Sequence, residues 1–418
     1  MIHEPERECI LKGTLEALQL EALQAVLART YLHVPFYRKR FDDGRIDPDE
    51  VRALGDLRRL PFTTREDLQA NYPYGLFAVP LREVVRIHAS TCMSVVVGYT
   101  RNDIKTWSDL MARVLVAGGV GKDDVVQIAL GYNLSTGGFG VHYGAERIGA
   151  SVIPTSTGNT RRQLKIMRDF KTTALVATPG YAALLCRRLR EQGAPRGALS
   201  LRVALLGGEP LSDLVRQEIQ DRLGVVATDN YGLSEVMGPG VAGECQERNG
   251  LHINEDHFLV EVVDPTSLEP VPAGESGELV ITTLSKEAFP VIRFRTRDIT
   301  RLLPGTCPCG RTTRRMARVE RRSDDVLIVR GVKVDPRRVK ELFMEIEGHP
   351  SPHRIVVQRE GGMDGLALLV GVEDSSDLDE VRKQQERLDR LRRGFSSELG
   401  LTVAVRLVEH GSLVSSPT

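Results

Sequence analysis

The sequence has no long hydrophobic run, since no apolar stretch approaches the ~20 residues that a helix needs to cross a bilayer. Its first residues also lack the apolar core of a secretory signal peptide. An excess of charge is missing too, because 56 basic side chains are balanced by 56 acidic ones, so no general nucleic-acid or membrane surface is indicated. We therefore expect a cytoplasmic protein with neither nucleic acid nor a membrane as a partner.

Cysteine is scarce, with six residues in 418, and in a cytoplasmic protein they should stay reduced or bind a metal. The sequence shows neither an internal repeat nor a low-complexity tract. With 41% hydrophobic and 27% charged residues, the composition is that of an ordinary globular protein. At ~100–200 residues per domain, the length predicts two or three domains.

Apolar runs and amphipathic segments alternate from about Val84 to Val263, after a start whose apolar residues recur at helical spacing. The predicted strands are Val125–Leu130, Ser151–Pro154, Thr173–Thr178 and Arg202–Leu206, and the predicted helices are Arg161–Lys171, Tyr181–Glu191 and Ser212–Leu223. This alternation predicts a parallel sheet with helices on its faces. A β-rich section follows, with strands at Phe258–Val263 and Gly277–Thr283.

The residue pattern changes past Arg322. Beyond that residue the sequence combines short apolar runs with two charged helical segments, which predicts a small α+β domain. Its predicted strands are 326–329, 354–358, 366–372 and 403–408, and its predicted helices are 336–347 and 377–399. We therefore expect an α/β protein with a large N-terminal domain over residues 1–323 and a small C-terminal domain over residues 324–418, joined by a hinge within the segment 321–331.

One candidate for chemistry is Tyr231–Glu235 (Tyr-Gly-Leu-Ser-Glu), which follows a predicted strand that ends near Asp229. Its hydroxyl could hold a phosphate oxygen and its carboxylate could hold Mg²⁺, while the glycine lets the backbone approach a ligand. An ordinary loop explains these five letters equally well.

Two further segments carry polar groups next to predicted strands. Gly207–Pro210 ends an apolar run, and ligands of open α/β sheets bind at such strand ends, although a plain strand-to-helix turn is the alternative. Asp298, at the end of Phe294–Asp298, could accept hydrogen bonds from both ribose hydroxyls of a nucleotide. The alternative for Phe294–Asp298 is a solvated edge strand.

The two cysteines of Cys307-Pro308-Cys309 suggest a metal site when they are combined with Cys245 and His252. Such a Cys₃His set suits a tetrahedral structural zinc ion. His257 competes with His252 as the fourth ligand, and reduced surface cysteines without metal are the alternative.

In their order and spacing, these segments resemble the adenylate-forming superfamily of acyl-CoA synthetases, luciferases and adenylation domains, with the phenylacetate–CoA ligases as the closer match. The resemblance runs from about Glu21 to the end of the chain. Its motifs are Pro35–Arg38, Leu60–Thr64, Arg86–Ser90, Val96–Thr100, Tyr231–Pro239, Glu255–Glu261, Pro290–Asp298, Leu302–Thr306 and Arg322–Asp325.

The resemblance implies an AMP-forming aryl-CoA ligase that uses ATP, Mg²⁺ and coenzyme A. Catalysis would depend on Ser234 at the α-phosphate, Glu235 as the Mg²⁺ ligand, Arg322 beside the ribose, and Asp324 as the hinge of a mobile C-terminal domain. The implied nucleotide- and coenzyme-binding residues are Gly208, Glu209, Pro210, Asp229, Tyr231, Gly232, Ser234, Asp298, Arg322 and, for the pantetheine tunnel, Gly331.

The family places its aromatic acid near residues such as Gly131–Asn133 and Gly137–Gly144. Glycines leave room for a flat ring, and aromatic side chains offer ring faces, although core packing explains each aromatic residue about as well. The implied acid-binding residues are Tyr132, Gly137, Phe139, His142 and Asn230, with His142 expected to be a structural histidine rather than a base. Asn230 and Asn254 stand at positions that are less polar in the family, and they suggest an amino- or hydroxybenzoate such as anthranilate.

Two segments depart from the family pattern. The family's phosphate loop carries Gly-Lys-Pro, whereas residues 88–95 here are three residues short of it and contain neither glycine nor lysine, so they would cradle phosphates poorly. Inserting Gly-Lys-Pro after Ser94 would restore the register. The family's C-terminal Gly-Lys segment should begin just after Gly411–Leu413, whereas this sequence stops at Thr418.

Two alternatives to the aryl-CoA ligase therefore stay open. The acyl-adenylate could pass to the phosphopantetheine thiol of a carrier protein instead of coenzyme A. If the short loop abolishes phosphate binding, the chain could also be a nucleotide-binding homologue without catalysis. A homodimer is what the family resemblance implies.

Overall fold

The computed structural model describes residues 1–90, 95–348, 353–360, 363–372 and 378–409. By their internal contacts these residues form two units, Met1–Ser323 and Asp324–Thr418. The mobility of the second unit and the hinge role of Asp324 stay predictions. Among the described residues, no helix is long and apolar enough to cross a membrane.

The first unit begins with helices. In chain order its helices are α1 (Pro5–Glu8), α2 (Lys12–His33), α3 (Pro35–Gly44), α4 (Arg65–Ala70), α5 (Arg101–Ala117), α6 (Gly137–Arg147), α7 (Thr160–Asp169), α8 (Pro179–Glu191) and α9 (Asp213–Leu223), with 3₁₀ turns at Pro48–Glu50, Leu54–Arg59 and Leu81–Glu83. Polar caps fix the starts of several helices. For example, Thr100 and Asp103 form a reciprocal capping box at α5, which satisfies amide groups that the helix itself leaves unpaired.

The strands of this unit are β1 (Arg86–Ala89), β2 (Val96–Tyr99), β3 (Val125–Ile128), β4 (Ser151–Ile153), β5 (Ala174–Ala177), β6 (Val203–Gly207), β7 (Val226–Leu233), β8 (Gly238–Glu244), β9 (Leu251–Ile253), β10 (Phe258–Val263), β11 (Gly277–Thr283), β12 (Phe294–Thr300), β13 (Leu302–Leu303), β14 (Arg315–Met316) and β15 (Arg321–Arg322). Strands β1 and β2 pair with each other in antiparallel orientation.

Within the described residues, the main sheet has the strand order β13-β14-β9-β8-β7-β6-β5-β3-β4. The strands from β4 to β7 are parallel, as the alternating pattern predicts, and β5 and β6 are buried along their whole length. Helices α7, α8 and α9 each connect successive parallel strands. Parallel neighbours need such crossovers, which bury the apolar strands on both faces.

Strand β7 extends further than the sequence analysis predicted. It was expected to end near Asp229 and to leave Tyr231–Glu235 as a loop, but it continues to Leu233. The reason is the next strand: β8 turns back and pairs antiparallel with β7, so that Asn230 opposes Gly243 and Tyr231 opposes Ala242. Tyr231 is therefore held by a ladder of backbone hydrogen bonds.

A second, antiparallel sheet has the order β10-β11-β12-β15 among the described residues. Strand β12 lies between β11 and β15, so the edge-strand alternative for Phe294–Asp298 is wrong. The pairing sets Asp298 directly opposite Arg322.

The second unit contains a hairpin of β16 (Leu327–Val329) and β17 (Val332–Val334). It also contains a sheet of β18 (His353–Glu360), β19 (Met363–Val372) and β20 (Val403–Glu409), with α10 (Pro336–Glu347) and α11 (Leu378–Leu399). Helix α11 connects the parallel strands β19 and β20. The predicted fold class, α/β with a β-rich part and a small α+β part, is confirmed.

Candidate functional site

Strand β6 ends at Gly207, opposite Asn230 of β7, and the turn after β6 is shaped by two glycines. Gly208 has a φ of +79°, a backbone conformation that favours glycine. A Cβ on Gly207 would lie 2.5 Å from the carbonyl oxygen of Asn230, so only glycine allows this approach of β6 to β7. One Glu209 carboxylate oxygen accepts a hydrogen bond from the Gly180 amide of α8 at 2.9 Å. The structure thus brings Gly208–Pro210 next to the end of β7.

Two side chains from other strands hold the Asp298 carboxylate. Its Oδ2 accepts a hydrogen bond of 2.7 Å from the Tyr231 hydroxyl, and its Oδ1 accepts one of 2.7 Å from the Arg322 guanidinium. Arg322 and Asp298 form a buried ion pair, with 8% and 5% of their side chains exposed. Burial, reinforced by the Asp298 charge, raises the pKa of Tyr231 well above its usual range, so the phenol stays protonated and donates.

A carboxylate oxygen has two lone pairs and can accept more than one hydrogen bond. Two adjacent hydroxyls, such as those of a ribose, fit that capacity. The structure therefore brings together Tyr231, Asp298 and Arg322, three residues far apart in sequence, as the resemblance implies; their roles stay predictions.

Ser234 and Glu235 lie just beyond the end of β7. The Ser234 hydroxyl is 2.9 Å from the hydroxyl of Thr136, which precedes helix α6. Sequence reasoning missed Thr136, because a threonine before a glycine run carries no signal of contact with a strand 98 residues away. Glu235 is buried, with 4% of its surface exposed, which is unusual for a carboxylate unless it is paired or binds a cation.

Asp229 lies deeper in the sheet than the other predicted nucleotide-binding residues. Burial and the charge of Glu244 raise the pKa of Asp229 to about 7. Glu244 accepts a hydrogen bond from the Asp229 backbone amide at 2.8 Å and pairs with the buried Arg216 at 2.9 Å. Next to it, Asn230 Oδ1 is buried and has no hydrogen-bond partner in the described part of the chain. An acceptor is thereby left for a ligand.

The predicted acid-binding residues lie on helix α6 and on the loop before it. The Tyr132 and Phe139 rings meet edge to face, with centroids 5.3 Å apart. Gly138 permits the loop to fold back, because a Cβ there would lie 2.6 Å from the Gly131 carbonyl oxygen. The Tyr132 hydroxyl lies 3.2 Å from His142 Nδ1, and His142 Nε2 lies 3.1 Å from Glu146 Oε1. His142 is thus held at both ring nitrogens, as expected for a structural histidine.

Strand β1 contributes two residues to this region that sequence reasoning did not single out. The Arg86 guanidinium lies over the rings of Phe139 and Tyr143, 5.1 and 4.7 Å from their centroids. His88 Nδ1 lies 3.0 Å from the Leu134 carbonyl oxygen in the loop before α6. Both belong to a motif quoted for the resemblance, but the sequence alone does not show which helix they contact.

The four side chains predicted to bind zinc lie close together. The ligand atoms of Cys245, His252, Cys307 and Cys309 lie within 4.8 Å of one another. The Cys245 and Cys307 sulfurs are 3.7 Å apart, close to the edge of about 3.8 Å that a tetrahedron with Zn–S bonds of about 2.3 Å would have.

The orientation of the His252 ring also suits a metal. Its Nδ1 lies 3.3 Å from the Thr313 hydroxyl, while Nε2 faces the Cys309 sulfur at 3.4 Å. Burial and Arg311 lower the pKa of His252 to about 4, so the ring is in the neutral form that binds metals. The competing candidate, His257, is engaged elsewhere, with Nδ1 2.7 Å from the Ser285 hydroxyl.

The N-terminal segment 1–10 lies against the loop that carries two of these cysteines. Arg311 donates hydrogen bonds to Glu8 at 2.5 Å and to the Met1 carbonyl at 2.7 Å. Thr312 donates through its hydroxyl to the Ile10 carbonyl at 2.7 Å.

Several predicted features can be described only in part. The short phosphate loop, residues 91–94, and the C-terminal residues 410–418 lie outside the described residues. Gly331 lies in the two-residue turn between β16 and β17 with a φ of +77°. Asp324 begins the second unit, and its carboxylate accepts a hydrogen bond from the Val326 amide at 3.3 Å.

Comparison with known proteins gives consistent matches. Residues 120–285 match the family model of AMP-binding enzymes, and residues 331–418 match that of the AMP-binding enzyme C-terminal domain. The chain is 48% identical to the phenylacetate-coenzyme A ligase of Escherichia coli (strain K12), over 96% of this chain and 92% of that protein. It is 44% identical to the enzyme of the same name from Thermus thermophilus, over 98% and 96% of the two chains.

Among solved structures, a 2-hydroxyisobutyryl-CoA ligase in complex with its acyl-adenylate and CoA matches with a TM-score of 0.89 and 27% identity. The match covers 99% of this chain and 90% of that one.

Proposed function

Because the chain belongs to the phenylacetate-coenzyme A ligase family of AMP-binding enzymes, we propose that it activates an aromatic carboxylic acid with ATP and transfers the acyl group to coenzyme A. The observation that carries the proposal within the structure is the placement of Asp298, which Tyr231 and Arg322 hold beside the segment that contains Ser234 and Glu235. This arrangement suits a nucleotide, with a carboxylate for the ribose and a hydroxyl for the α-phosphate.

The reaction has two steps. A carboxylate oxygen of the acid attacks the α-phosphorus of ATP, and pyrophosphate leaves. The thiol of coenzyme A then attacks the acyl carbon, loses its proton, and AMP leaves. Neither step needs covalent catalysis by the protein, so the side chains would act by positioning and by stabilising charge.

The contacts of the site support the proposed nucleotide roles. Gly208–Pro210 would line the adenine at the ends of β6 and β7. Ser234 can donate its proton to an α-phosphate oxygen while it accepts from Thr136, because a hydroxyl is donor and acceptor at once. Glu235 would hold Mg²⁺, which neutralises phosphate charge and so lowers the cost of the attack.

The acid would lie between Tyr132, Phe139 and the end of β7. Phenylacetate is one candidate, and a benzoate such as anthranilate is the other. Asn230 Oδ1 has no hydrogen-bond partner among the described residues, which favours an acid that carries a hydrogen-bond donor on its ring. Asn254 supports this choice less than its sequence position suggested, because its side-chain amide donates to the Gly240 carbonyl at 2.8 Å.

We also propose that Cys245, His252, Cys307 and Cys309 hold a structural zinc ion. Four protein ligands complete a tetrahedron and leave no position for substrate, so the metal would fix the loop around Cys307–Cys309 rather than take part in the reaction. Of these ligands, Cys309 alone is part-exposed, whereas the other three are buried.

The second step would follow a rotation of the C-terminal unit about Asp324 that brings Gly331 to the pantetheine tunnel. Replacing Gly331 by isoleucine is then expected to spare adenylate formation and to lower thioester formation at least a hundredfold, since a β-branched side chain would fill the tunnel. The two half-reactions are measured separately, as acyl-AMP without coenzyme A and as acyl-CoA with it.

Isoleucine also strains a backbone with positive φ, so Gly348→Ile is the matched control. Gly348 belongs to the same unit and has a similar φ of +74°. It should lower stability but keep the ratio of the two half-reactions. Equal losses of both half-reactions in Gly331→Ile would argue against the two-conformation scheme.

The proposed function is tested by product analysis with mass spectrometry. Protein, ATP and Mg²⁺ are mixed with phenylacetate, benzoate, anthranilate and hydroxybenzoates, each with and without coenzyme A. We expect an aryl-AMP without coenzyme A and an aryl-CoA with it. An aryl-AMP that coenzyme A does not consume would indicate another acceptor, such as a carrier-protein thiol. The absence of product from every acid would overturn the enzyme proposal and leave a nucleotide-binding role.

A further inference from the structure

Three polar side chains near the acid-binding loop form a continuous hydrogen-bonded chain. Tyr132 precedes helix α6, while His142 and Glu146 are four residues apart on that helix and therefore on the same face. His142 lies between the other two, with Nδ1 3.2 Å from the Tyr132 hydroxyl and Nε2 3.1 Å from Glu146. The Tyr132 and His142 rings are perpendicular, with centroids 5.8 Å apart.

The chemistry of Glu146 sets the direction of every hydrogen bond in this chain. A carboxylate only accepts, so His142 Nε2 must carry the proton that points at Glu146. In the neutral ring Nδ1 then bears a lone pair, because one nitrogen donates and the other accepts. When His142 is neutral, the Tyr132 hydroxyl therefore donates to Nδ1, and its own oxygen lone pairs face away from the histidine.

We propose that Glu146, acting through His142, fixes the Tyr132 hydroxyl as a hydrogen-bond acceptor toward the acid, and that this selects aromatic acids whose ring carries a donor such as a hydroxyl or an amino group. The inference rests on the proposed function, since it needs the acid to lie beside Tyr132. Glu146 and His142 are positioning residues here, because neither has to touch the acid.

Because the Tyr132 hydroxyl is partly shielded from water, the direction of its hydrogen bond to His142 can affect which acid binds. Tyr132 is half-buried and His142 is largely covered, so water competes weakly at the hydroxyl. Burial, followed by the charge of Glu146, raises the pKa of Tyr132 above its usual range, which keeps the phenolic proton in place to point at His142. A ring substituent that can only accept would face the lone pairs of the Tyr132 oxygen and could not form a hydrogen bond with it.

Asn230 gives an independent reason to expect a donor. Its Oδ1 is buried at the end of β7 and has no partner in the described ranges. A buried acceptor without a partner is unfavourable, so a ligand donor that reaches it gains affinity. Two acceptors, Tyr132 and Asn230, thus belong to the set of residues predicted to contact the acid.

A simpler explanation is a surface ion pair, since about half of the Glu146 side chain is exposed. A solvated pair at this spacing contributes little to stability and would influence no substrate preference. The two explanations therefore differ in one measurable quantity, which is the preference between donor and non-donor substituents.

The test compares hydroxy- and fluoro-substituted acids at each ring position, because fluorine is similar in size to a hydroxyl but cannot donate. We expect one position at which wild type prefers the hydroxy acid about tenfold in kcat/KM, the amount that a single neutral hydrogen bond supplies. Glu146→Gln should reduce that preference to about twofold, since an amide can donate or accept and no longer fixes the His142 tautomer. Tyr132→Phe should abolish it.

Glu191→Gln is the matched control. Glu191 is likewise a part-exposed helical carboxylate in a short-range ion pair, here with Arg188, and its substitution should leave the preference unchanged. An equal preference in wild type and Glu146→Gln at every ring position, with product formed, would overturn the proposal. A wild type that forms no acyl-CoA from any acid would instead count against the ligase function itself.

Discussion

Replacing Asp298 by asparagine is expected to lower kcat/KM for ATP by about a thousandfold. Tyr231 and Arg322 hold the carboxylate through hydrogen bonds to its two oxygens, which would also accept hydrogen bonds from both ribose hydroxyls. Hydrogen bonds to a charged group contribute about 1.5–3 kcal/mol each, so losing two removes roughly 4 kcal/mol. The asparagine side chain also replaces one acceptor oxygen of the carboxylate with an NH₂ group that can only donate. The kinetics of adenylate formation over a range of ATP concentrations measure the effect.

The same substitution should destabilise the protein, because it leaves the buried Arg322 guanidinium without its partner charge. Breaking a buried ion pair in this way typically costs about 3–5 kcal/mol. The double variant Asp298→Asn/Arg322→Gln removes both charges and should recover much of the stability, but not the use of ATP. If the double variant regained ATP turnover together with its melting temperature, Asp298 would have a structural role only.

Removing the proposed zinc ion is expected to have the second largest effect, on stability. Cys309→Ser should lower the zinc content from about one ion per chain to near zero and reduce the melting temperature by roughly 10 °C, since binding energy at a structural zinc site is folding energy. Because Arg311 and Thr312, next to Cys309, hold Glu8 and Ile10, the N-terminal segment should also become sensitive to proteases.

A matched control is Cys186→Ser, which replaces a buried cysteine of helix α8 outside the cluster. It should lower the melting temperature by leaving a buried hydroxyl, yet retain zinc and the protection of the N-terminal segment. Metal analysis of purified wild type is decisive, because a protein free of zinc and of other bound divalent metals would end the proposal.

Much of the fold could be predicted because its signal is local. The runs at Ala174–Ala177 and Val203–Gly207 are buried on both faces of a parallel sheet, so they read as continuous apolar segments. Caps such as Ser212 before α9 mark helix starts within one turn. The segments predicted at Phe258–Val263 and Gly277–Thr283 have the observed bounds.

The prediction for β7 failed at its end because the deciding interaction is tertiary. Tyr231-Gly232 has the composition of a turn, and only the pairing with β8 makes it a strand. The contact between Thr136 and Ser234 bridges 98 residues and has no local signal either.

The hydrogen-bonded chain of Tyr132, His142 and Glu146 could be identified only from atomic positions. Sequence reasoning placed Tyr132 and His142 in the acid pocket but could not find Glu146, because a glutamate four residues after a histidine on a helix is usually a solvated neighbour.

The attachment of residues 1–10 to the loop after Cys309 has a consequence during synthesis on the ribosome. Met1 and Glu8 are translated about 300 residues before their partner Arg311, with sequence separations of 310 and 303. Residues 1–10 can therefore dock only after nearly the whole first unit has been made, and contacts of such long range form slowly. A segment that is translated early thus reaches its final position late.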